Sequence, residues 1–320
     1  MVPPYQVRRL AMSAKREELV RVAWMYYRDN LTQVQIAERL RVSRATVARM
    51  LDRAREVGVV TIDIDTRDVG GLELEAAIRA TYGLSDVIVI PQMGRSRSGE
   101  ATNSQIARQA AQYLRRFLHP GATIAVGWGD TVLRTLLELR PDSLRGVTFP
   151  TLTGGIDAYT ASVMGALGNG VAKLIRFVPS PLLASSPEVA AMLRKERSVT
   201  SVIELAKTAD AALIGIGGAI AEATILQHGL VSEDQLHDYQ LAGAVGDILG
   251  EWYDKDGHVL AVDLQRVRVG IALRDLRTMR NVIAVAGGID KLDGIRGALV
   301  GGYLDVLVTT EDVARELVSD

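Results

Sequence analysis

TQVQIAERLRVSRATVARMLDRAREVGVV, residues 32–60, decides how the chain is to be read. Between positions 41 and 56 it sets five arginines (Arg41, Arg44, Arg49, Arg53, Arg55) against two acids, Asp52 and Glu56. A solvated helix usually mixes its signs more evenly. Thr32 followed by Gln35 is a capping-box pattern and predicts a helix over 33–40, with Ile36, Ala37 and Leu40 on one face. Arg41-Val42 leaves room only for a turn. Ser43 is then a good N-cap for a further helix, whose apolar stripe is Val47, Met50, Leu51 and Ala54 and whose stop is Gly58. Upstream, KREELVRVAWMYYR (15–28) places Leu19, Val22, Ala23 and Tyr26 at helical spacing, and Trp24 with Tyr26 and Tyr27 reads as core and domain-contact packing. Downstream, VVTIDID (59–65) alternates in the strand period and predicts a short β wing.

Helix, short turn, helix and wing is the winged helix-turn-helix arrangement, whose last helix enters the DNA major groove. Small Ala37 lets the two helices approach closely. Thr32, Gln33, Ser43, Arg44, Ala45, Thr46 and Arg49 are then the candidates for DNA contact, since arginine bonds a guanine edge bidentately and hydroxyls hold phosphates. An ordinary helical hairpin with a charged, solvated face would carry similar residues. The longer-range charge helps to separate the two readings. Residues 1–60 hold twelve Arg or Lys against six Asp or Glu, an excess of +6, while the whole chain nets −1, so the remainder sums to −7. Such asymmetry points to an N-terminal module that meets an anion, nucleic acid being the common one.

At 320 residues the chain exceeds the roughly 250–300 residues of one core, which predicts a small domain over 1–65 and a larger one over 66–320. With 48% hydrophobic and 23% charged residues, it has ample material for a packed interior. The absence of cysteine excludes disulfides and thiolate metal sites. Four histidines remain; His119 reads as a loop residue, and His228, His237 and His258 lack metal spacing, so no metal or cofactor is expected. No apolar run suits a signal peptide or a membrane span, which predicts a cytoplasmic protein without a membrane partner.

From residue 66 strand-like runs alternate with helical stretches. The runs are DVIVI (86–90), ATIAVGW (122–128), VTFPTLTGG (147–155), KLIRFVP (173–179), AALIGIGG (211–218), NVIAVAGG (281–288) and LDVLVTT (304–310). Helical segments are expected over 104–118, 131–139, 187–194 and 291–301. This alternation predicts an α/β domain with a mainly parallel, Rossmann-like sheet covered on both faces. Several strands end in glycine and a polar residue: GWGDT (127–131), LTGGIDAY (152–159), IGIGGA (214–219) and VAGGIDK (285–291). Carboxyl ends of strands form the ligand crevice in such sheets, and helix N-termini favour anions. Any one of these loops is also what a tight βα turn looks like; four together point to a small anionic or polyhydroxylated ligand. GWGDTV lacks the third glycine of a dinucleotide fingerprint, and no Walker lysine follows a glycine run, so NAD and ATP enzymes have little support.

The chain as a whole resembles the SorC/DeoR-type sugar-binding transcriptional regulators, and within them the branch of lsr-operon repressors of autoinducer-2 uptake. The similarity is carried, in the family's order, by VAWMYYRDNLTQVQIAERLRVSRATVARML, AVGWGDT, LTGGIDAY, PSPLLASS, AVGDILG, VAGGIDK and GGYLDVLVT. The resemblance implies a winged helix-turn-helix followed by a domain related to sugar-phosphate isomerases, in which a phosphorylated sugar or polyol alters operator binding. It also implies a homo-oligomer, a dimer or tetramer. Carried over, the effector site comprises Gly127, Trp128, Asp130 and Thr131, then Thr153, Gly154 and Gly155, then Asp247, Leu249 and Lys291. Trp128 stands where the lsr branch has phenylalanine, and Ile156-Asp157 replaces a smaller pair.

Chemistry agrees with that mapping. Asp247 can accept bonds from vicinal hydroxyls, Lys291 can meet a phosphate, and Trp128 can cover an apolar sugar face. The same residues also suit a helix cap, a solvated surface charge and a core aromatic. A sugar-phosphate isomerase or deaminase is the alternative, with Asp247 as its base. Such an enzyme leaves the arginine-bearing N-terminal segment without a use.

Overall fold

A computed structural model describes residues 4–60, 71–91, 99–156, 165, 171–220 and 223–319, the side chains of 4–15 and 224 excepted. The chain divides into two compact units, Met1–Asp65 and Thr66–Asp320.

The first unit is helical: α1 (Pro4–Tyr27), α2 (Gln33–Leu40) and α3 (Arg44–Glu56). Its core gathers Val22 and Met25 from α1, Ile36 and Ala37 from α2, and Val47 and Leu51 from α3. Each large apolar side chain so buried contributes about 1.5–3 kcal/mol. Thr32 and Gln35 close a reciprocal capping box at the start of α2. Arg41 ends α2 in the left-handed region at φ 55°, a conformation costing a non-glycine residue about 1 kcal/mol, and this lets the chain reverse within three residues. Ser43 Oγ then accepts the Thr46 amide at 3.1 Å and starts α3. Ser43→Ala is expected to lower the stability of this unit by about 1 kcal/mol, and Ser43→Asp to retain it, in urea titrations of helix content. An unshifted Ser43→Ala transition would show that the cap contributes nothing.

Within this unit Trp24 and Tyr27 lie outside the helical core, because Val22, Ala23 and Met25 occupy the inward face of α1, while Tyr26 packs against that core. Residues 61–65 of the expected wing lie outside the described residues.

The second unit opens with a helix that the strand pattern did not announce, α4 (Gly71–Tyr82). The elements β1 (Asp86–Ile90), α5 (Gly99–Leu114), β2 (Ile124–Val126), α6 (Asp130–Leu137), β3 (Phe149–Gly155) and β4 (Ile175–Pro181) follow. Next come helices Pro187–Leu193 and Arg197–Lys207, then β5 (Ala211–Gly215), β6 (Gly217–Gly218), β7 (Gly246–Ile248) and β8 (Glu251–Tyr253). The chain closes with β9 (Val282–Val285), helix Leu292–Val300, β10 (Val306–Thr310) and helix Glu311–Val318. Helix α5 begins five residues earlier than its predicted start at 104, and a 3₁₀ turn over Arg115–Phe117 ends it.

Seven strands form one parallel sheet in the order β1-β10-β9-β5-β2-β3-β4. Alternate residues of each central strand serve opposite faces, as the two-residue period requires. Val306 and Val308 join one apolar core with Ile283, Val285 and Leu213, while Leu307 joins the other with Val282, Ala284 and Ala212. Burial on both faces is what the near-continuous apolar runs of these strands predict. Among the described residues no helix is long and apolar enough to cross a membrane.

Topology fixes where a ligand can enter. From β2 the chain moves outward to β3 and β4; it then returns to place β5 on the other side of β2 and continues through β9 to β10. The order reverses between β2 and β5, so the loops at their carboxyl ends diverge and leave a crevice.

Candidate functional site

That crevice is a cleft open to solvent. The β2 loop supplies Trp128, Gly129, Asp130 and Thr131, and the β5 loop supplies Gly215 through Gly218. Asp247, Leu249, Lys291 and Asn103 complete its polar and apolar lining, with Val132, Ala223, Ile225 and Val285 beneath.

Asp247 stands on β7, part of a three-stranded antiparallel sheet β6-β7-β8 absent from the strand readings. Opposite it in the register is Gly217, where a Cβ would lie 2.1 Å from Asp247 Oδ1. Only glycine leaves room there for the carboxylate. Gly218 has Lys291 Cγ at 3.4 Å from its Cβ position, so the pair of glycines brings Asp247 and Lys291 into one cleft. The start of helix Leu292–Val300 is held close as well, through Gly294 against Gly246, and Tyr253 Oη donates to the Gly294 carbonyl at 2.8 Å.

Asp247 Oδ2 accepts the Gly250 amide at 3.0 Å across a two-residue turn in which both Leu249 (φ 57°) and Gly250 (φ 79°) are left-handed. Arg268, itself buried, fixes that turn. Its Nε donates to the Leu249 carbonyl at 2.6 Å, its Nη1 to Glu251 Oε1 at 3.1 Å and its Nη2 to the Ile271 carbonyl at 2.6 Å. Leu249 thus projects over Gly127, where a Cβ would meet Leu249 Cδ2 at 2.8 Å.

Burial pushes the Asp247 carboxyl up to about 6, against the opposing pull of the Gly250 amide, Arg268 and Lys291. Folding therefore favours the protonated acid: the stability it contributes is whole below the ordinary carboxylate pKa and is lost as pH rises through about 6. Asp247→Asn, which keeps the shape without the charge, should gain about 1 kcal/mol more over the parent at pH 7 than at pH 5. Urea unfolding of both proteins at the two pH values measures it, and an equal difference at both would mean that Asp247 titrates normally.

On the opposite wall Asp130 is fully engaged. Arg134 Nε donates to both its oxygens, at 3.0 and 2.8 Å, and Asn103 Nδ2 donates to Oδ2 at 3.0 Å. Arg134 reaches on to Ser104 Oγ and Glu100 Oε1, each at 3.1 Å, tying α6 to α5. Asp130 thus has Arg134 as its counter-ion, shared with Glu100. Lys291 enters no ion pair or side-chain hydrogen bond among the described residues, which leaves its ammonium as the uncommitted cation of the lining.

Of the sequence-derived effector residues, the structure brings Trp128, Asp130, Thr131, Asp247, Leu249 and Lys291 together, with Gly127 beneath Leu249. Thr153, Gly154 and Gly155 are not in the lining. Gly154 is where β3 approaches β4, its Cβ position 2.2 Å from the Pro181 carbonyl, and Thr153 bridges to Gly270. Asp157 and the rest of IDAY lie outside the described residues. Asn103 carried no motif signal, since it follows no glycine loop. His258 does fall near Asp254 and Asp256, their ligand atoms within 4.8 Å, in an exposed loop shaped by Asp254 Oδ1 accepting the amides of both other residues.

On α3 the surplus of arginine resolves into two groups. Arg53 pairs with Glu56 at 2.7 Å and Arg55 with Asp52. Arg44 and Arg49 are exposed and enter no ion pair among the described residues. Ala45 is exposed between them, Ser43 and Thr46 bond each other at 2.9 Å, and Thr32 is occupied by Gln35, while Gln33 is half-buried at the start of α2.

A helix-turn-helix unit joined to an α/β unit with a ligand cleft defines a class, DNA-binding proteins that carry a small-molecule domain. A family profile described as "Putative sugar-binding domain" matches residues 67–319. The chain is 37% identical over 310 residues to the transcriptional regulator LsrR of Klebsiella pneumoniae, spanning 96% of this chain and 94% of that one. It is 34% identical over 307 residues to LsrR of Escherichia coli K12, covering 95% of each. The full-length sorbitol operon regulator SorC from Klebsiella pneumoniae matches its structure with a TM-score of 0.74 at 27% identity, over 95% of this chain and 98% of that chain. The chain belongs to the SorC family of sugar-binding transcriptional regulators. Its relatives are regulators, not enzymes, and the isomerase alternative is set aside.

Proposed function

We propose that this protein is an operator-binding repressor, acting in the cytoplasm, whose α/β unit takes a phosphorylated sugar or related polyol in the cleft between the β2 and β5 loops. Residues 1–65 contact DNA through α3, and residues 66–320 bind the effector and hold the oligomer, a dimer or tetramer that spaces two α3 helices for two half-sites. The observation that carries the reading is the meeting of a buried acceptor, Asp247, with an uncommitted ammonium, Lys291, in one cleft. Hydroxyls donate to the first, and a phosphate meets the second as a point charge. Trp128, half-buried beside them, offers a flat apolar wall. The similarity to a sorbitol operon regulator supports a polyol as the ligand class.

Lys291→Ala should weaken a phosphorylated sugar by about 10- to 100-fold, the worth of one hydrogen bond to a charged group, and its dephosphorylated counterpart much less. Calorimetry with sugar and sugar-phosphate pairs decides it. Equal losses for both would mean that the effector carries no phosphate on Lys291, and binding of neither would remove the sugar reading altogether.

A further inference from the structure

We propose that Ala45 reads a thymine methyl group in each operator half-site, and that Arg49 reads a guanine within about two base pairs of that thymine. The inference rests on α3 being the groove-entering helix and asks what that helix can recognise.

Base readout needs side chains that are exposed, on the first turns of the helix, and not already consumed by the fold. Seven neighbours fail one of these conditions. Ser43 and Thr46 are bonded to each other, with Ser43 Oγ also accepting the Thr46 amide. Arg53 and Arg55 belong to the last turns and are paired with Glu56 and Asp52. Val47, Leu51 and Ala54 turn inward, at 0%, 2% and 0% exposure. The opposite face therefore presents Arg44, Ala45 and Arg49.

Their chemistry is complementary to a short base pattern. Four residues advance about 6 Å along a helix and overshoot a full circle by about 40°, which sets Arg49 beside Ala45 on the same face. At about 3.4 Å per base pair, that advance spans roughly two steps. An exposed methyl without a hydrogen-bonding group has one apolar partner in the major groove, the C5-methyl of thymine, and arginine has its bidentate partner in guanine O6 and N7. A polar base edge under Ala45 would lose water and gain no bond. Arg44, at the first position of the helix, faces the other side of Ala45 and is placed for a phosphate or a second base.

The test uses the full-length protein. Duplexes are selected from a randomised pool, and each selected thymine is replaced singly by deoxyuridine, which removes the methyl and keeps the pairing. One thymine per half-site should show about fourfold weaker binding to the parent protein, the worth of one buried methyl. Ala45→Gly should show no such penalty at that position. Within about two base pairs of it, 7-deazaguanine should weaken the parent but not Arg49→Ala. If glycine frays the helix, seen as lost helix content, Ala45→Ser makes the same comparison, since a hydroxyl against a methyl goes unpaired. A selected site in which every uracil replacement is neutral, or in which Ala45→Gly keeps the penalty, overturns this assignment and leaves DNA binding standing. Failure to select any sequence overturns the operator reading as well.

Discussion

Asp247→Ala is expected to leave operator binding intact and to abolish release by the effector. The carboxylate is 5% exposed, and its Oδ2 is already committed to the Gly250 amide, so its remaining capacity faces a cleft that a polyol can fill. Hydrogen bonds to a charged group contribute about 1.5–3 kcal/mol each, and the loss of two would lower effector affinity by a hundredfold or more. Linkage carries that loss to DNA: if effector and operator weaken each other by some factor, typically 5–150-fold, a protein that no longer binds the one cannot be moved off the other. The measurement is an operator titration with and without sugar phosphate, parent against variant, at one salt concentration. Release of the variant at the parental ligand concentration would remove Asp247 from the effector site. Asp247→Asn adds a second reading, because it keeps an acceptor for the Gly250 amide while losing the charge.

Replacing Arg44 and Arg49 together by alanine should weaken operator binding by about 1–3 kcal/mol for each arginine that contacts a base, without unfolding the helical unit. Each side chain is exposed and supports nothing in the core. The control is internal. Arg53→Ala and Arg55→Ala remove arginines of the same helix whose charges are already answered by Glu56 and Asp52, and surface pairs of that kind contribute little to stability. A loss shared equally by all four positions would indicate a diffuse electrostatic footprint. A loss confined to Arg44 and Arg49 marks recognition, and a salt dependence shallower by about one unit at either marks a phosphate contact.

Much of this was legible before the fold was known, for reasons that differ by region. Helices α2 and α3 announce themselves because their caps are short-range chemistry: Thr32 with Gln35 and Ser43 with Thr46 act within three residues. The parallel sheet is legible because β5, β9 and β10 are buried on both faces and carry unbroken apolar runs. The small sheet β6-β7-β8 escapes notice because two or three residues cannot show a period, and Gly217-Gly218 reads as the end of the run 211–218 until Asp247 is found opposite. Asn103 and Arg134 escape notice for other reasons. Asn103 lies 27 residues from its partner Asp130, and no local pattern marks a bond that only the packing of α5 on α6 creates; Arg134, one helical turn after Asp130 on α6, is an i,i+4 pair that a search for glycine loops passes over. Trp24 reads as core because aromatic composition says packing, whereas its position on α1 sets it outside the core of its own unit.

The turn at Leu249-Gly250 has a consequence for anyone who wishes to make this protein hardier. A leucine at φ 57° is strained by about 1 kcal/mol where glycine or asparagine would be at ease, and Asp247 two residues before it is held as a buried acid. Both residues line the cleft, so a strained backbone position and the proposed effector site coincide. Directed evolution for heat resistance can therefore gain stability at these positions at the expense of the proposed response to ligand. A selection meant to yield a durable biosensor has to score the response to ligand in every round, because thermal tolerance alone would reward the loss of the very residues that hear it.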